Sequence, residues 1–205
     1  LRRALEGDPA AGGLHAMIEE RCPHLFATLP VFVSRQHVDE MAAVIRAAEE
    51  VIALPAYREA ALAWAPAVAR HEPGAVGAFI GYDFHVGAEG PRLIEINTNA
   101  GGALLNVVLA RAQRACCAEI ETLVSGPVPT QDLERALFEM FASEWRRSGR
   151  SGLPRRIAIV DDAPAAQFMY PEFLLFAQLF RRFGVDAVVL APEQLAFEAG
   201  VLRDA

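Results

Sequence analysis

Residues 78–102 read AFIGYDFHVGAEGPRLIEINTNAGG. Two strand-like runs, AFIGYDFHV (78–86) and RLIEINT (92–98), flank GAEGP (87–91), whose glycines and proline punctuate a turn. The pattern predicts an antiparallel hairpin with a five-residue turn. Alternation puts Phe79, Gly81, Asp83 and His85 on one face of the first strand. It puts Leu93, Glu95 and Asn97 on one face of the second. Closing the hairpin about 87–91 sets Val86 opposite Arg92, hence Asp83 opposite Glu95 and Gly81 opposite Asn97. Cross-strand partners share a side, with Cβ atoms about 5 Å apart.

Two facing carboxylates repel unless something neutralises them. A divalent cation would do so, and carboxylate and amide oxygens are the hard ligands that suit Mg²⁺. The other reading is a hairpin whose polar face is simply solvated. Gly81 beside Asn97 leaves room for a ligand to approach the backbone. The glycine turn at 99–102 opens a helix over 103–124, whose amino end can hold an anion.

Upstream, a short helix and a Pro-punctuated connection occupy residues 1–30. Ser34 is an N-cap candidate for a helix whose Val38, Met41, Ile45, Ala48 and Ile52 should form a buried stripe. Pro55 ends it, and a second helix covers 57–65. Downstream, Leu104, Val108 and Ala112 form one stripe of the 103–124 helix. A Gly/Pro linker at 126–130 leads to a helix over 131–147, with Leu133, Leu137, Met140 and Phe141 inward. A Ser/Gly loop (148–154) precedes the strand RIAIV (156–160), a helix over 171–183 capped by Gly184, and the strand VDAVVL (185–190). Strand, helix, strand at these lengths is a right-handed βαβ unit with a parallel sheet. A short helical run follows. The fold class is therefore α/β: an α+β part built on the hairpin, then the start of a parallel-sheet βαβ domain.

Composition narrows the function. The chain is 53% hydrophobic and 22% charged, which excludes a disordered chain. A net charge of -7 argues against nucleic acid or an anionic membrane as partner. All 19 basic residues are arginine, so no Schiff-base or P-loop lysine is present. Cys22, Cys116 and Cys117 are odd in number and suit a reducing cytosol. Cys116 and Cys117 read as buried helix surface. No run is apolar enough to span a bilayer. The five histidines, at 15, 24, 37, 71 and 85, lack zinc-ligand spacing, and no Gly-x-Ser-x-Gly elbow occurs. No catalytic nucleophile is assigned.

The stretch GYDFH … LIEINTNAGG (81–102) resembles the ATP-grasp ligases, most of all the permuted branch that contains eukaryotic glutathione synthetase and glutathionylspermidine synthetase. An Asp on one strand followed by a Glu-x-Asn pair on the next matches the family's pattern. The resemblance implies that Asp83, Glu95 and Asn97 hold Mg²⁺, with Glu95 and Asn97 also serving ATP. It implies that Asn99, Gly101 and Gly102 border the acyl-acceptor pocket. Residues 1–125 would then be part of the ATP-grasp catalytic domain, 126–154 a linker and helix, and 155–205 a partial substrate domain. The implied activity is ATP- and Mg²⁺-dependent amide formation through an acylphosphate, with small carboxylate and amine substrates. A non-catalytic metal-binding module is the alternative.

The sequence departs from the family in two respects. Gly81 stands where the family has Arg, so either another arginine, Arg92 or Arg111, reaches the phosphate or that contact is lost. The lysines and glycine-rich lid of the family are missing, and the chain starts with Leu; both suggest an incomplete portion of a ligase. Gln167, Tyr170 and Glu172 follow a parallel strand, where α/β sheets bind ligands, and are substrate-side candidates. Asp161–Asp162 reads as a strand end or a helix cap. His85 either orients Asp83 or caps the hairpin. An incomplete second sheet would favour a homodimer.

Overall fold

The computed structural model describes residues 13–27, 29, 31–114 and 130–204. In chain order the elements are α1 (Leu14–Arg21), α2 (Arg35–Ile52), α3 (Pro55–Trp64), β1 (Gly81–Gly87), β2 (Gly90–Asn97) and α4 (Ala103–Arg114). Then come α5 (Thr130–Arg147), β3 (Arg156–Val160), α6 (Tyr170–Arg182), β4 (Asp186–Leu190), β5 (Leu195–Glu198) and β6 (Val201–Asp204). The chain is of the α/β class, with antiparallel and parallel sheets among helices. Two compact units form, one from residues 30–100 and 147–149, the other from 1–29, 101–146 and 150–205. The chain passes between them at residues 29–30, 100–101, 146–147 and 149–150. The domain boundary expected near residue 125, the helix beyond Arg114, Cys116 and Cys117 all lie outside the described residues.

In the 30–100 unit, Ser34 caps α2 by accepting the His37 N–H at 3.1 Å. The helix ends at Ile52. Pro55 does not end it but starts α3 at its first turn, where a missing N–H costs nothing. Helix α2 packs on β2 and β1. Tyr82, Phe84 and Leu93 are half-buried, as are Gly81, Gly90 and Pro91. The stripe expected to be buried on α2 is less covered than that: Met41, Ile45 and Ala48 are half-buried, while Val38 and Ile52 are exposed. The reason is area. A two-stranded sheet is too narrow to cover a helix face, and none of the described residues in this unit is fully buried.

The hairpin turn is also shorter than expected. Gly87 pairs with Gly90 across a two-residue turn, and Gly90 takes φ +95° to reverse the chain. Pro91 stays in the strand, which a two-stranded sheet tolerates because each strand has a free edge. Phe84 pairs with Leu93 and His85 with Arg92. A bulge at Ile94 then shifts the register, so that Asp83 pairs with Glu95 and Gly81 with Asn97. Leu93 therefore shares the Phe84 side rather than the Glu95 side.

The other unit holds the core. Strands β3 and β4 pair in parallel, Arg156 to Asp186 through Val160 to Leu190. Helix α6 crosses between them and buries Leu175, Phe176, Leu179 and Phe180. Gly184, at φ +81°, ends the helix, and the Val185 N–H bonds back to the Phe180 carbonyl at 3.0 Å. Helix α4 adds Leu104, Leu105 and Val108, and α5 adds Phe138 and Ala142. Phe138 stacks on Phe183 at 4.2 Å. Glu134 accepts from Arg111 and lies 3.1 Å from Arg182, tying α4, α5 and α6 together. The helical run expected near the carboxyl end is instead one 3₁₀ turn and an antiparallel hairpin, β5–β6. Ala199 and Gly200, both at positive φ, make its tight turn, which alternation in a four-residue strand does not announce.

Candidate functional site

The exposed face of the β1–β2 hairpin carries Asp83, Glu95 and Asn97. The Asn97 amide nitrogen donates to Glu95 Oε1 at 2.9 Å and reaches Asp83 Oδ2 at 3.4 Å. One neutral amide thus sits between two like charges, and its NH₂ satisfies both in part. Turned about its terminal torsion, the same amide presents oxygen, and the set becomes two carboxylates and one carbonyl-type donor. That chemistry fits Mg²⁺. Among the described residues, no group of three or more His, Cys, Asp and Glu side chains is arranged to hold a metal.

Gly81 does not provide the open approach expected of it. A Cβ there would lie 2.8 Å from the Ala100 Cβ, so Ala100 already fills that space. The same contact excludes an arginine at this position without movement of the backbone. Arg92 pairs with Glu89, and Arg111, in the other unit, with Glu134. His85 is exposed near the turn, opposite Arg92. On the far side of the sheet, the Tyr82 hydroxyl donates to Glu49 at 3.4 Å. Loss of hydration, then the Glu49 carboxylate, push the Tyr82 phenol above its ordinary range.

The glycine turn is built differently from the expectation. The amino end of α4 does hold an anion, but one supplied by the chain. Glu172 of α6 is 4% exposed. Its Oε2 accepts the Gly102 N–H at 2.6 Å, and its Oε1 accepts the Leu104 N–H at 2.9 Å. A carboxylate at a helix amino end satisfies orphan donors and the helix dipole together. The place where a substrate anion was expected is therefore taken by Glu172. Gly102 adopts φ +94°, and the Asn106 amide nitrogen donates to its carbonyl at 2.8 Å.

Of the other substrate-side candidates, Asn99 is exposed and belongs to the 30–100 unit. Gln167 bonds the Asp162 carbonyl at 2.6 Å and so braces its own loop. The Asp161 carboxylate accepts the Asp162 N–H at 2.7 Å within the same loop. Tyr170 is half-buried, with the Arg21 guanidinium 5.8 Å above its ring. Gly101 and Gly102 open onto a cavity of about 320 Å³ that Met169 and Asn106 also line. Sequence reasoning missed Asn106 and Met169 as lining residues. The signal was available for Asn106, the one amide within ALLNVVLA (103–110). No protein-family model, curated protein or solved structure matches this chain. Among the described residues, no helix is long and apolar enough to cross a membrane.

Proposed function

We propose that the β1–β2 hairpin is the Mg²⁺- and ATP-binding element of a cytoplasmic ATP-dependent carboxylate–amine ligase. The observation that supports this reading is the meeting of Asp83, Glu95 and Asn97 on one exposed face, with one amide reaching both carboxylates. The resemblance of residues 81–102 to ATP-grasp ligases points the same way.

In this reading Asp83 and Glu95 supply two anionic oxygens, and Asn97 turns its amide to supply a third, neutral one. Bound Mg²⁺ would neutralise charge on the ATP phosphates. The side chains neither donate nor accept a covalent bond; their work is to hold the phosphates in place for attack by a substrate carboxylate.

A second reading, a metal-binding module without turnover, is favoured by the contact of Gly81 with Ala100, which keeps out the family's arginine. The test is Mg²⁺ titration calorimetry, with and without ATP. Asp83→Asn and Glu95→Gln should each weaken Mg²⁺ binding by tenfold or more, on the scale of one lost ligand, while the circular dichroism stays unchanged. Equal Mg²⁺ affinity in wild type and both variants would refute the site. Release of ADP only when a carboxylate and an amine are both present would favour the ligase over the module.

A further inference from the structure

We propose that the cavity at the amino end of α4 binds a small, uncharged, mainly apolar molecule that carries one hydrogen-bond donor. Its volume of about 320 Å³ lies at the lower end of the range of small-molecule sites, roughly 300–1,000 Å³. Leu25, Phe26, Leu105 and Leu109 give it an apolar lining. Met169 also lines it, with an unbranched side chain that adapts to what it touches. All of these residues belong to one unit, and none belongs to the unit of the Asp83 hairpin. The proposal therefore stands apart from the ligase reading.

Two features set the chemistry of the ligand. The first is the charge behind Gly101. Glu172 Oε2 is 3.5 Å from the place a Gly101 Cβ would take, and the carboxylate already uses the helix-end donors of Gly102 and Leu104. A second anion would meet that charge at close range, so anions are rejected. The second feature is Asn106. Asn106 lines the cavity, and because its nitrogen donates to the Gly102 carbonyl, its oxygen is the atom left to accept. A ligand that complements this site presents an N–H or O–H to Asn106 and an apolar body to the leucines.

N-phenylnaphthylamine has these properties, and anilinonaphthalenesulfonate is the same skeleton with a sulfonate added. The full chain should bind the neutral dye saturably, with an affinity at least tenfold above that for the sulfonate. Asn106→Leu should weaken the neutral dye several-fold. Leu109→Trp should fill the cavity and abolish binding, with its fold checked by thermal melting. With methyl-labelled methionine, the Met169 resonance should shift on titration while that of Met41, in the other unit, stays fixed. Equal binding of both dyes would overturn the proposal. So would undiminished binding to a folded Leu109→Trp protein, or a Met169 resonance that does not move.

Discussion

Replacing Glu172 by Gln tests the buried contact between α6 and the start of α4. The side chain is nearly isosteric and remains buried, so the change falls on the two backbone donors. In the wild type, Gly102 and Leu104 donate to one oxygen each, at 2.6 and 2.9 Å. Gln offers a single oxygen, so one N–H must face an NH₂ group. A hydrogen bond to a charged group contributes about 1.5–3 kcal/mol, and a buried unpaired donor costs about 1–3 kcal/mol. Removing the negative charge from the helix amino end adds about 0.3–2 kcal/mol. These terms overlap, because each describes part of the same contact, and a combined loss of about 3 kcal/mol is expected. At about 2–4 °C per kcal/mol for a chain of this size, the melting temperature should fall by about 6–12 °C. Circular dichroism melting gives the shift. Hydrogen exchange locates it: the Gly102 and Leu104 amides should lose protection well before the amides of α6. A melting temperature within 1 °C of wild type, with both amides still protected, would refute the role given to Glu172.

Gly81→Ala should destabilise the hairpin unit by about 1–3 kcal/mol, the usual cost of overpacking, because its Cβ would lie 2.8 Å from that of Ala100. Adding Ala100→Gly should restore most of that loss in urea melts, and a double variant no more stable than Gly81→Ala would refute the contact. The folded-state pKa of Tyr82 is raised, so its contribution to stability is fully present below about pH 10 and is lost as the pH rises through the folded value. Tyr82→Phe should therefore flatten the alkaline decline in urea midpoints between about pH 9 and pH 11, and an unchanged slope would count against the Glu49 contact.

The elements with strong local signals were legible in the sequence. Ser34 as a cap, the RIAIV and VDAVVL strands with their crossover helix, and Gly184 as its terminator follow from propensity and periodicity, which act over a few residues. What the sequence hid depends on distant partners. Glu172, in the first turn of α6, reads from the sequence as a substrate-side candidate. Only packing brings it to a helix that starts some 70 residues earlier. The same holds for Gly81. A glycine in a strand signals close approach, and the sequence does not say whether a ligand or Ala100 makes that approach. The stripe on α2 is a true apolar periodicity. How deeply it is buried depends on the width of the sheet beneath it.

The hairpin register shows how a local inference and a structural irregularity can reach the same pairing by different routes. A five-residue turn closing on Val86 and Arg92 places Asp83 opposite Glu95. The actual turn is shorter, closing on Gly87 and Gly90. A regular ladder continued from it would set Asp83 against Ile94 and carry Glu95 round to pair with Tyr82, on the face that meets α2. The bulge at Ile94 absorbs one residue and returns Glu95 and Asn97 to the Asp83 side. Bulges re-aim side chains in this way, at the cost of a locally broken ladder. Here the broken ladder brings two carboxylates together where a regular one would keep them apart. Like charges across strands destabilise a hairpin, and the Asn97 amide, which reaches both carboxylates, offsets part of that cost.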